Sequence, residues 1–261
     1  MLPLAGQPLT APQRYGTIVI VGGGCYGSYY VRQLGRAARA GALVADRVLV
    51  IDRDPACRVA TEQRAERTAN VEIVRDEWGP FFDAYLEAAS VRGPVGLADP
   101  PDAIVPSPLM PHLMYQWIER RARARWPARA IETRPLDPPS GIPWQKRGAD
   151  GTQYVSFAEW ICPVNCIEPA LCPATRGPRS WSMPPAVVAA ADEAQRNGRN
   201  LAGPVIFHCQ HRAYGVGMFD TREVIAGDEL VQHAAAAGAA EVLVGTVSHC
   251  HGALTVLAIG D

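Results

Sequence analysis

The chain has 261 residues, 48% apolar and 20% charged, an ordinary globular composition with length for one large α/β domain or a domain and a smaller companion. A formal net charge of −1 leaves no cationic excess to neutralise phosphates and excludes a general nucleic-acid surface. No run approaches the ~18 apolar residues that span a bilayer, and Met1 to Arg14 lack the basic and apolar regions of a secretory signal. The expectation is a protein without membrane contact, in the cytoplasm.

The first element is Thr17-Ile18-Val19-Ile20-Val21, a continuous β-branched run of the kind buried on both faces of a parallel sheet. It ends at Gly22-Gly23-Gly24-Cys25-Tyr26-Gly27, a G-x-G-x-x-G sequence followed by a helical segment to about Ala40. In such a turn Gly22 permits the tight reversal, Gly24 lets the backbone approach a pyrophosphate and Gly27 allows close helix–strand packing. The helix N-terminus then offers free N–H groups to the phosphates. A second strand, Arg47 to Ile51, ends in Asp52, an acidic residue placed to accept hydrogen bonds from ribose hydroxyls. Asp52 also reads as a helix N-cap, because Asp54-Pro55 follows. Arg53 beside it would tolerate a 2′-phosphate, so the expected cofactor is NAD or NADP, with a lean to NAD.

The stretches Ile18-Val19-Ile20-Val21-Gly22-Gly23-Gly24-Cys25-Tyr26-Gly27 and Val50-Ile51-Asp52-Arg53-Asp54-Pro55 resemble the TrkA-N type of Rossmann domain, over roughly residues 16 to 125. The resemblance implies binding of an adenine nucleotide or dinucleotide at Gly22, Gly24, Gly27 and Asp52.

Alternation continues. Val71 to Val74 and Ala103 to Val105 read as strands, Trp78 to Ala89 and Leu109 to Arg125 as helices. The basic run Arg120-Arg121-Ala122-Arg123-Ala124-Arg125 suits a helix C-terminus on a solvated face better than a nucleic-acid patch. Pro106-Ser107-Pro108, after the fourth strand, falls at the carboxyl edge where ligands of such sheets bind.

From Pro135 to Pro185 there are ten prolines in 51 residues, so little regular structure is expected. The segment nevertheless holds Trp144, Tyr154, Phe157, Trp160 and Trp181 and the spacing C-x3-C-x5-C at Cys162, Cys166 and Cys172. An ordered, irregular segment of this kind calls for a staple. Of the seven cysteines five lie after residue 160, and an odd number beside a nucleotide-binding turn points to reduced or metal-bound thiols. The expected metal set is Cys162, Cys166 and Cys172 with Cys209 or Cys250 as the fourth ligand, holding an iron–sulfur cluster ahead of zinc.

Two apolar strands, Pro204 to Phe207 and Glu241 to Val247, deliver His208-Cys209-Gln210-His211 and Ser248-His249-Cys250-His251. As parallel neighbours they would bring both His-Cys groups to one sheet edge. Arg176 and Arg179 follow the clustered cysteines, as candidates to bind an anionic substrate, to stabilise a reduced, more negative cluster, or to face solvent. Tyr214 to Met218 reads as a turn, Asp220 and Thr221 as caps of a helix to about Ala237, and Ala253 to Ile259 as a final strand.

The expected fold is α/β, divided into a Rossmann-type parallel sheet (residues 1–130), a Pro/Cys-rich metal-binding segment (131–200) and a small α/β module (201–261). The expected function is nicotinamide hydride chemistry coupled through a cysteine-ligated centre to electron transfer or to a bound substrate. Its alternative is a nucleotide-sensing protein with a structural zinc. Expected partners are a small-molecule substrate or a redox protein, and, by fold analogy, a second copy in a homodimer.

Overall fold

Why β1 (Gln13–Val21) is apolar without a break from Ile18 to Val21 becomes plain from its two faces. In a computed structural model, which describes residues 11–65, 70–91, 100–158 and 166–261, Ile18 and Ile20 pack with Val31, Leu34 and Ala37 of α1 (Cys25–Arg39). Val19 and Val21 pack on the other face with Phe82 and Leu86 of α3 (Trp78–Val91) and with α4 (Leu113–Arg125). A strand covered on both sides has no use for polar alternation. Each fully buried Ile side chain contributes roughly 1.5–3 kcal/mol.

The chain is α/β. The first sheet has the order β3-β2-β1-β4-β10-β9. β2 (Leu43–Asp52), β3 (Val71–Arg75) and β4 (Ala103–Val105) run parallel to β1, and α2 (Arg58–Ala65) follows β2. The other two strands come from far down the chain. β9 (Gln210–Ala213) and β10 (Val216–Asp220) form a hairpin, and β10 lies antiparallel to β4 with Phe219 opposite Ile104. The segment expected to be a turn at Tyr214 to Met218 is therefore mostly strand, with the reversal confined to Tyr214 and Gly215, at φ +48° and +79°. This hairpin belongs to the expected C-terminal module and adds two strands to the first sheet through β4.

The second sheet has the order β6-β7-β12-β11-β8, with β5 (Ile131–Arg134) beside the far end of β12. β8 (Leu201–His208) and β11 (Ala240–Val247) are parallel neighbours, with His208 in register with Val247, while β12 (His251–Ile259) runs antiparallel to β11. α5 (Met183–Arg196) covers one face through Met183, Val187 and Ala191. α6 (Thr221–Ala235) covers the other with Val224 and Val231, and shares one core with α4 and both sheets. Its start is a capping box in which Asp220 and Glu223 exchange hydrogen bonds with the backbone.

The proline-rich stretch is more regular than its composition predicts. β6 (Trp144–Arg147) and β7 (Gln153–Ser156) form a hairpin paired to β12, and α5 begins with proline in its first turn after Ser182. Proline is harmless there because first-turn N–H groups lack helical acceptors anyway. The basic run of α4 is consumed internally. Arg121 and Arg125 both reach Asp228 of α6, at 3.3 and 2.7 Å, Arg120 pairs with Asp83 and Arg123 with Glu119. No helix among the described residues is long and apolar enough to cross a membrane.

Candidate functional site

Two features meet at the carboxyl ends of the parallel strands. The first is the glycine turn. Gly22 takes φ +86° and donates its N–H to Ile51 O at 2.9 Å, while a Cβ on Gly27 would run into the Gly22 carbonyl. Around Gly24 nothing stands within 4 Å of the place a Cβ would occupy. α1 starts there with no side-chain cap and no acidic residue in its first turn, so the N–H groups of that turn have no side-chain acceptor. That is the electrostatic form of an anion site. Asp52 Oδ2 accepts the Gly23 N–H at 2.7 Å and Oδ1 accepts the Asp54 N–H at 2.9 Å. The Trp78 indole donates to Ile51 O at 3.1 Å and its ring flanks Gly22.

The second feature is a cleft of about 340 Å³. It is lined by Tyr26 and Tyr30 of α1, by the loop Pro106 to Pro111, and by Cys166, Glu168, Cys209, His211, Cys250 and His251. The parallel pairing of β8 and β11 puts the two His-Cys groups side by side, and Cys209 N–H donates to Val247 O at 2.7 Å. Cys209 Sγ and the His211 ring both crowd Gly217 of β10, where a Cβ would stand 2.7 Å from the sulfur and 3.0 Å from the ring. Only glycine leaves them room.

Glu168 is the hub of the polar wall. It sits at φ +52°, a left-handed conformation unusual for a non-glycine residue. Its Oε1 accepts the His249 N–H at 3.0 Å and its Oε2 lies 3.6 Å from His211 Nδ1, a buried nitrogen with no hydrogen-bond partner. Ser248 Oγ accepts the N–H groups of Cys250 and His251, each at 3.2 Å, and His251 Nδ1 meets Ser156 Oγ at 2.9 Å.

Burial pushes the Cys209 thiol up to about 12, with Glu168 adding to the effect. Burial also raises Cys250, opposed by the Trp181 indole, which donates to its sulfur at 3.3 Å, and by Arg179. His208 and His251 are held below the ordinary histidine range by desolvation. Cys172 is different. It is buried away from the cleft, and although burial pushes its thiol up, the Thr175 and Ala174 N–H groups, the Thr175 hydroxyl and Arg179 bring it below the usual range.

The expected metal set is thus divided. Cys166, Cys209 and Cys250 line one cleft, Cys172 stands apart within its own turn, and Cys162 lies outside the described residues. Among the described residues no three His, Cys, Asp or Glu side chains are close enough to share one ion. Sequence reasoning also missed Tyr26, Tyr30 and Gly217, whose signal is long-range packing.

Residues 114–260, more than half of the chain, match the family model AF_1314_C, described as "Uncharacterized protein, C-terminal domain", and the chain belongs to that family. The match corrects the resemblance to TrkA-N Rossmann domains over residues 16 to 125, because no family model of that kind fits there. A glycine turn with an acidic residue on the next strand is dictated by strand–turn–helix geometry, so it marks a fold feature and not that family. No curated protein and no solved structure matches the chain.

Proposed function

We propose that the chain is an NAD(P)-linked oxidoreductase. The dinucleotide lies along the carboxyl edge of the first sheet, and its nicotinamide faces a substrate in the thiol- and histidine-lined cleft. The observation that carries this reading is that α1 serves both features: its first turn bounds the open cradle at Gly24, and Tyr26 and Tyr30 line the cleft. At 1.5 Å per residue, Tyr30 lies about 9 Å along the helix from Gly24. A cofactor held by its phosphates at the turn would have its other end at the cleft.

Bound there, a reduced nicotinamide would supply a hydride, and the substrate would take one proton from the chain. His211, whose Nδ1 stands 3.6 Å from Glu168 Oε2, is the group placed to supply that proton. The six described cysteines are all free, which supports a reducing cytoplasmic setting.

Titrating NADH and NADPH against the intrinsic fluorescence, to which Trp78 contributes, tests the reading. Saturable quenching that Gly24→Ala weakens is expected, and absence of saturation by both nucleotides up to millimolar concentration would sink it. Iron and zinc content and the visible absorption of anaerobically purified protein accompany the titration. A colourless protein holding one zinc, unfolding on chelation and catalysing no hydride exchange, would be the nucleotide-responsive binding protein instead.

A further inference from the structure

Large aliphatic side chains exposed beside a hollow leave apolar surface in water, and a ligand that covers them removes that surface from solvent. The cleft has two such residues. Leu109, on its lining, is 72% exposed, and Ile167, between the lining residues Cys166 and Glu168, is 58% exposed. Ile167 also stands over Gly215 of the lining, where a Cβ would run into its Cγ2. Inside, Tyr26, Tyr30, Pro106, Pro108 and Pro111 continue the same chemistry with flat, apolar ring faces. At about 340 Å³ the cleft holds a small molecule.

Charge narrows the occupant further. Glu168 carries the one fixed charge among the described lining residues, and no lysine or arginine is among them. Arg176 and Arg179, the cations that the sequence offered to an anionic substrate, are both outside the lining. The Arg212 guanidinium, whose charge acts on Cys209 and His208, is paired with Asp220 and Glu223. An anion entering this cleft would lose its hydration, meet no counter-charge on the lining and face a carboxylate. The other polar groups of the lining include imidazoles and the Ser248 hydroxyl, which donate as well as accept and so suit a neutral oxygen function.

We infer that the cleft binds a small neutral alcohol or carbonyl compound with an apolar body, whose tail leaves past Leu109 and Ile167. The choice of oxygen function rests on the oxidoreductase reading, under which a carbonyl carbon would accept the hydride and its oxygen the proton. The selection of a neutral, apolar molecule does not rest on it.

The test is calorimetric titration of the full chain with 1-butanol, 1-hexanol and 1-octanol, and with octanoate at the same pH and ionic strength. Affinity should rise about fourfold per added CH₂, the gain for burying a methylene group. Octanoate should bind weaker than 1-octanol by roughly tenfold or more, because its charge is left unpaired. Leu109→Asp, at an exposed position, should keep the thermal midpoint of the wild type and bind 1-octanol roughly tenfold more weakly. Glu168→Gln should narrow the difference between octanoate and 1-octanol. Affinity independent of chain length, octanoate binding as tightly as 1-octanol, or Leu109→Asp binding like the wild type would each overturn the inference. If Glu168→Gln fails to fold, the Leu109→Asp and octanoate comparisons decide. NADH titration of the same samples separates the two ideas. NADH binding without any 1-octanol binding removes the substrate class alone, and 1-octanol binding without NADH or NADPH binding removes the oxidoreductase alone.

Discussion

The Asp52 carboxylate accepts the backbone N–H of Gly23 at 2.7 Å, so the end of β2 holds the turn that ends β1. Its second oxygen holds Asp54. The same residue is thus a scaffold for the glycine turn as well as a candidate ligand of ribose. Asp52→Ala should destabilise the protein by about 2 kcal/mol, the scale of hydrogen bonds to a charged group, and weaken NADH binding. Asp52→Asn keeps one acceptor and should lose less. Urea midpoints and nucleotide titrations read the two effects.

Gly24 and Gly27 separate cofactor contact from packing. Gly27→Ala places a methyl group against the Gly22 carbonyl and should lower stability by about 1–3 kcal/mol, as overpacking does. Gly24→Ala meets nothing within 4 Å and should change stability by less than about 0.5 kcal/mol, yet weaken dinucleotide binding tenfold or more. Equal nucleotide affinity in Gly24→Ala and wild type would show that the cradle is empty in function.

Gly217→Ala should disturb the cleft and leave the cradle intact. The new Cβ would meet Cys209 Sγ at 2.7 Å and the His211 ring at 3.0 Å, so a loss of about 1–3 kcal/mol is expected with NADH affinity unchanged. Turnover should fall further than stability, because His211 is the ring displaced. Thermal denaturation and steady-state rates on the same preparation check this.

His112 gives the protein a pH dependence that does not involve the cleft thiols. It is buried beneath Thr246, meets Thr255 Oγ1 at 2.8 Å, and desolvation lowers its pKa from 6.5 to about 3, partly offset by Asp150. Between those values the unfolded chain takes up a proton that the folded chain refuses. The folded state therefore loses stability as pH falls from 6.5 toward 3, by up to about 1.4 kcal/mol per pH unit. His112→Gln should be less stable at neutral pH and show a shallower acid slope in urea denaturation. An unchanged slope would mean that His112 is not the residue responsible.

Local signals in the sequence were legible because they are decided by few residues. The apolar run of β1, the glycines after it, Asp52 closing β2 and the helix cap at Asp220 depend on backbone conformation and nearest neighbours. The parallel approach of His208-Cys209 and His249-Cys250 was readable as two matched strand ends. α5 escaped notice because the prolines of its first turn look like helix breakers outside their position. The β6–β7 hairpin hid in the same proline-rich stretch. No local pattern announces that β9 and β10 return to the first sheet, since Phe219 meets Ile104 across more than a hundred residues.

The sequence by itself determined the α/β character, the glycine turn and which residues carry thiols, imidazoles and carboxylates, because side-chain chemistry and short-range backbone preference are written residue by residue. Tertiary structure alone decided which of them meet. Strand pairing brought Cys209 and Cys250 to one cleft with Cys166, turned Cys172 into its own loop, and put Tyr26 and Tyr30 on the lining of the same cleft. Such encounters follow from burying the shared core of two sheets, a free energy summed over the whole chain and carried by no single motif.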